Sequence, residues 1–119
     1  MRDNPILEKS YAFAKDIVIF YKYSNEGKYD KPLSKQLLRS GTSIGANIRE
    51  AQRPQSKADF KSKINIALKE ADETDYWIHL LHDTDYMSDE QFQLLSNKLD
   101  EIIRLLVSII KSINKKEFI

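Results

Sequence analysis

The chain has no cysteine among its 119 residues, which excludes disulfide staples, thiol nucleophiles and cysteine-held zinc or iron–sulfur clusters together. Glycine and proline number three each, and every proline stands at a helix opening or a turn. No apolar run approaches the roughly 20 residues that span a bilayer. The longest, residues 105–110, is interrupted by Ser108. The opening MRDNPILEK lacks the apolar segment of an export signal, so a cytoplasmic location is expected. Glu-x-x-His, the ligand pattern of di-metal bundles, does not occur. A Gly-rich phosphate loop and a nucleophile elbow are missing too. No strand pattern, internal repeat or low-complexity segment stands in their place.

What is present is helical periodicity. With 41% apolar and 31% charged residues, the chain reads as one soluble domain over 1–119. Its organising stretch is 33–81. There Leu37, Gly41, Ile44, Ile48 and Ala51, then Phe60, Ile64, Ala67, Ala71, Thr74, Ile78 and Leu81, recur at helical steps. Between the two seams, Pro54 cannot continue a helix, while Ser56 with Asp59 forms a capping box for the next. Antiparallel pairing across this turn sets Gly41 near Ala67, and Lys35 and Arg39 level with Glu70 and Glu73. Gly41 and Gly45 each cost about 1 kcal/mol against alanine inside a helix, so close approach of a facing backbone is expected to offset them.

The outer helices follow the same logic. Asn4-Pro5 opens the first, whose seam is read as Leu7, Tyr11, Ala14, Val18 and Tyr21, with Ile6, Phe13, Ile17 and Phe20 beside it. Asn25, Gly27 and Asp30 mark the following loop. Ser88 with Gln91 caps the last helix, whose seam runs Phe92, Leu95, Leu99, Ile102, Leu106, Ile109 and Ile113. Leu94, Ile103, Leu105 and Ile110 are surplus to one face and point to an oligomer. The fold class is therefore all-α, an up-down-up-down four-helix bundle with helices near 5–24, 32–52, 57–82 and 89–115.

Charge is uneven along the chain. Residues 31–63 carry eight Lys or Arg against Glu50 and Asp59, whereas residues 69–91 carry eight acids against Lys69. Lys35 and Arg39 are expected to be neutralised by the facing acids. That leaves Arg49, Arg53, Lys57, Lys61 and Lys63 at the hairpin tip as candidate nucleic-acid contacts. No aromatic ladder interleaves them, which argues against a sequence-reading single-strand platform. Asn47 and Glu50, one turn apart, are expected to form an internal pair that fixes register. His79 and His82 read as packing or surface residues.

TSIGANIREAQRPQSKADF followed by INIALKEADETDYW resembles the 23S rRNA intervening-sequence protein family. The residues that carry the resemblance are Ser43, Ile44, Asn47, Ile48 and Glu50, then Ser56 and Phe60, then Ala67 and Glu73. The resemblance implies a toroidal homopentamer without enzyme activity. It also implies kinship with the accessory protein of diversity-generating retroelements, for which nucleic-acid and reverse-transcriptase binding are described. The expectation is a non-enzymatic assembly protein with RNA, DNA or a nucleic-acid enzyme as partner, and no cofactor, metal, catalytic residue, membrane or small-molecule substrate. The alternatives are a structural or protein-binding adaptor and, more remotely, a magnesium-dependent all-α nucleotide hydrolase built on Glu70, Asp72, Glu73 and Asp75 with Asp100 and Glu101.

Overall fold

A computed structural model describes residues 4–24 and 31–117, all of whose regular structure is helical. The helices are α1 (Pro5–Lys22), α2 (Pro32–Ala51), α3 (Lys57–Asp83) and α4 (Asp89–Glu117). The expected loop residues Asn25, Gly27 and Asp30 lie outside the described residues. Among those described, no helix is long and apolar enough to cross a membrane.

Local chemistry explains the ends. Asn4 Oδ1 accepts from the Leu7 amide ahead of Pro5, satisfying one of the donors a helix leaves open. Ser88 and Gln91 exchange bonds, Gln91 N–H to Ser88 Oγ at 3.1 Å and Ser88 N–H to Gln91 Oε1 at 2.9 Å. At α3 the box is shifted. Ser56 Oγ accepts from the Asp59 amide, but Asp59 reaches past Ser56 to the Gln55 N–H at 3.0 Å. The C-terminus of α3 closes with Tyr86 N–H donating to the Leu81 carbonyl and Asp85 N–H to that of His82, and Asp85 takes φ 68°. That is the left-handed stop most often made by glycine.

The helices pack in a cycle, α1 on α2, α2 on α3, α3 on α4 and α4 on α1, with no diagonal contact among the described residues. The seams expected for α2 and α3 are buried throughout, except that Phe60 is half-buried. On α4, Leu95, Leu99, Ile102 and Leu106 form the inner row, with Ile103, Leu105, Ile109 and Ile110 partly covered beside it. The α1 reading requires correction. The inward row is Ile6, Ser10, Phe13, Ile17 and Phe20, while Tyr11 and Val18 remain 61% and 40% exposed. Both stripes are largely apolar, and the one built on phenylalanine and isoleucine occupies the core, while the one that carries the Tyr11 and Tyr21 hydroxyls stays nearer solvent.

The centre of the bundle is narrow because small residues meet there. A Cβ at Gly41 would stand 2.9 Å from Ile17 of α1, and one at Gly45 3.3 Å from the Ser10 carbonyl oxygen. Gly41 therefore packs closely, and the atoms nearest to its missing side chain belong to Ile17 of α1. The layer beside it is polar yet satisfied. The buried Thr74 hydroxyl donates to Ser40 Oγ at 2.9 Å, and among the described residues no buried side-chain polar atom lacks a partner.

Candidate functional site

The α2–α3 hairpin sorts its charges by height. Midway along it, Arg39 of α2 reaches across to Glu70 at 3.2 Å and to Glu73, whose Oε2 also accepts from Trp77 Nε1 at 2.9 Å. These two acids lie on the α2 side of α3. On the opposite flank Glu101 of α4 pairs with Lys9 of α1 at 3.2 Å, so the acids considered for a divalent-metal site occupy different seams. Among the described residues, no three His, Asp or Glu side chains gather as metal ligands. His79 and His82 hold the α3–α4 hairpin instead. The His82 ring stacks on Phe92 at 4.3 Å and the His79 ring meets its edge at 5.0 Å.

Nearer the tip, Lys63 binds Glu50 at 2.8 Å, and this carboxylate raises the lysine's pKa above its ordinary value through the hydrogen bond and its charge. The expected Asn47–Glu50 pair does not form. Asn47 Nδ2 donates to the Ser43 carbonyl at 2.9 Å, whereas Glu50, three residues further round the helix, faces α3. Asn47 is thus satisfied within its own helix and fixes no contact between helices.

The five basic candidates do not make one patch. Arg49 lines the α1/α2 groove with Leu7, Tyr11 and Gly45, and Lys63 bridges α2 and α3. Lys57 borders a hollow between α3 and α4. Arg53 is exposed on the turn, and Lys61 is half-buried on α3. The cations encircle one end of the bundle. The structure adds Lys116, which shares the hollow with Lys57, and charge counted along the chain gave no sign of it. The signal was the lysine-rich last turn of α4, legible only once that helix is known to end beside the start of α3.

Comparison with known proteins agrees with this architecture. None of the curated proteins compared matches the sequence. A crystal structure from Bacteroides thetaiotaomicron, described as a protein with unknown function from the S23 ribosomal protein family, superposes with a TM-score of 0.84 at 54% identity, covering 89% of this chain and 98% of that one. The model of the 23S rRNA-intervening sequence protein family matches residues 2–108, a span that takes in the first three helices, the α2–α3 turn and most of the fourth helix. A match of that extent, on a chain with the same fold as an S23 relative, places the protein in the 23S rRNA-intervening sequence protein family, whose function is unknown.

Proposed function

We propose that the protein is a non-enzymatic assembly protein, an up-down-up-down bundle that associates into a ring and touches nucleic acid, or a nucleic-acid enzyme, through its basic end. The observation that carries this reading is the partition of cations. Arg39 and Lys63 are engaged by carboxylates, while Arg53, Lys57 and Lys116 at the tip have no acidic partner among the described residues. Exposed cations without a carboxylate partner among the described residues are available to phosphates, and releasing the counterions condensed on those phosphates drives such contacts.

Contacts whose residue numbers fall on one helix as they rise on the next support the topology. They include Asn4 with Gln52, Arg39 with Glu70, His82 with Asp89 and Lys98 with Asp16. Two unlike apolar strips support the ring. Tyr11 stands beside the α1/α2 groove, and Ile103 and Val107 line a shallow hollow on α4. An interface between unlike faces is heterologous and closes into a ring when the rotation allows. The family resemblance implies five subunits.

Sedimentation at micromolar concentration tests the assembly, and a monomer would remove it. Titration of RNA and DNA binding with salt tests the contact. A log affinity that falls by about 0.7–0.9 per phosphate for each log unit of salt is expected. Salt-insensitive binding, or none at low salt, would leave the adaptor reading.

A further inference from the structure

At the basic end, the first turn of α3 and the last turns of α4 do not close on each other. Pro54, Ser56, Phe60 and Ile113 enclose a hollow of about 420 Å³, with Lys57 from α3 and Lys116 from α4 on its rim. Phe60 packs against the core one turn beyond Ile64, and Ile113 stands half-buried seven residues beyond Leu106, so the hollow lies at the end of the core. Both lysines are exposed, and neither is held by a carboxylate among the described residues. Ser56 Oγ is committed to the Asp59 amide as the cap of α3. An apolar floor with a cation on each side suits a ligand that has a flat apolar face and anions flanking it.

We infer that this hollow takes one unpaired nucleotide of a single-stranded nucleic acid, its base against Phe60 and Ile113 and its flanking phosphates at Lys57 and Lys116. The inference rests on the basic-end reading and narrows it. A base in a duplex reaches such a hollow only by leaving its stack, which costs unstacking energy, so single strands are preferred. One ring per subunit tolerates any base, because every base has a π-face. Ser56 is the one neutral polar side chain of the hollow's lining, and its Oγ already accepts from the Asp59 amide, so few groups there can distinguish one base from another. Repetition around a ring would add avidity at fixed spacing without adding sequence preference.

Fluorescence anisotropy at low salt decides the matter, using the full chain with a dye-labelled oligothymidine, an abasic strand of equal length and the matching duplex. The oligothymidine is expected to bind about tenfold more tightly than the abasic strand. Phe60→Leu, which removes the ring and keeps an apolar side chain, should remove most of that difference while helicity and sedimentation stay those of the parent. If this variant loses helicity, Lys116→Glu replaces it and should weaken the strand more than Lys111→Glu, on the opposite flank of α4. Equal effects would overturn the site. Equal affinity of the parent for all three probes would overturn the hollow and keep the basic-end reading, whereas no binding of any probe would end both. Free thymidine monophosphate binding as tightly as the strand would overturn the strand in favour of a soluble nucleotide.

Discussion

Ile17 of α1 and Gly41 of α2 meet at a separation that leaves no room for a methyl group. A Cβ at position 41 would stand 2.9 Å from Ile17 Cγ1 and 3.1 Å from Cγ2. Those atoms branch directly from the Ile17 Cβ and cannot swing away as the end of a long side chain would. Helix propensity alone favours Gly41→Ala by about 1 kcal/mol, so propensity and packing oppose each other here. Packing is expected to win, with a net loss of about 1–3 kcal/mol in chemical denaturation. A gain in stability would show that α1 and α2 can separate without cost.

Ser40 and Thr74 form the buried polar contact of the same layer, with both side chains fully buried. Thr74→Val keeps the shape and removes the hydroxyl, leaving Ser40 Oγ without that partner. The expected cost is about 1–3 kcal/mol. Ser40→Ala combined with Thr74→Val removes both polar groups and should cost less than the two single changes added together. Additive losses would mean that the two hydroxyls act independently.

Much of this arrangement is legible in the sequence, and the exceptions share a cause. Arg39 opposite Glu70 and Glu73 follows from counting equally outward from Pro54, because antiparallel helices joined by a short turn keep a fixed register. The need of Gly41 for a close neighbour is legible for the same reason, but not the neighbour's identity. A buried residue faces two helices, and the turn speaks for only one of them. The inward face of α1 is ambiguous in the sequence because both of its stripes are largely apolar with the same period, and the tyrosine hydroxyls on one of them, not the period, separate the two. Lys116 stands in a visibly lysine-rich last turn of α4, but its place beside Lys57 depends on closure of the whole bundle, which no short pattern encodes.

His82 makes the α3–α4 hairpin sensitive to pH. Its Nε2 lies 2.6 Å from Asp89 Oδ1, and this hydrogen bond, more than the charges of Asp89 and Asp83, raises the imidazole pKa above its ordinary 6.5. A raised folded-state pKa means that the stabilisation is fully present below pH 6.5, the unfolded value, and fades as pH rises through the folded value. Asp89→Asn should flatten the decline in melting temperature over that interval. Asp89 also opens α4, so its loss lowers stability at every pH, and the test is the slope rather than the level. An unchanged slope would assign the pH dependence to other groups.

Asp85 bears the one positive φ among the non-glycine described residues, at the stop of α3. An L-residue pays there a penalty that glycine escapes, although aspartate tolerates the region better than most. Asp85→Gly is expected to stabilise the chain by about 1 kcal/mol or less, since added backbone freedom in the unfolded state offsets part of the gain. A loss would indicate that the Asp85 side chain holds the turn in solution.

The partition of cations makes opposite predictions for two pairs of residues on one hairpin. Arg39 is half-exposed and engaged by Glu70 and Glu73, so replacing Lys35 and Arg39 with alanine should lower stability by about 1 kcal/mol and leave nucleic-acid affinity unchanged. Arg53 and Lys57 lie off every core seam and have no carboxylate partner among the described residues. Changing both to glutamate should abolish binding while circular dichroism and sedimentation match the parent, because repulsion of phosphate replaces attraction at the centre of the tip. Neutralising both to glutamine is the milder form. It should reduce the magnitude of the salt slope by about two, one for each cation withdrawn from a phosphate. If the glutamate variant binds RNA and DNA as the parent does, the tip is not the binding surface. If the mid-hairpin variant ceases to bind while still folded, the binding surface runs along the side of α2 and α3 instead.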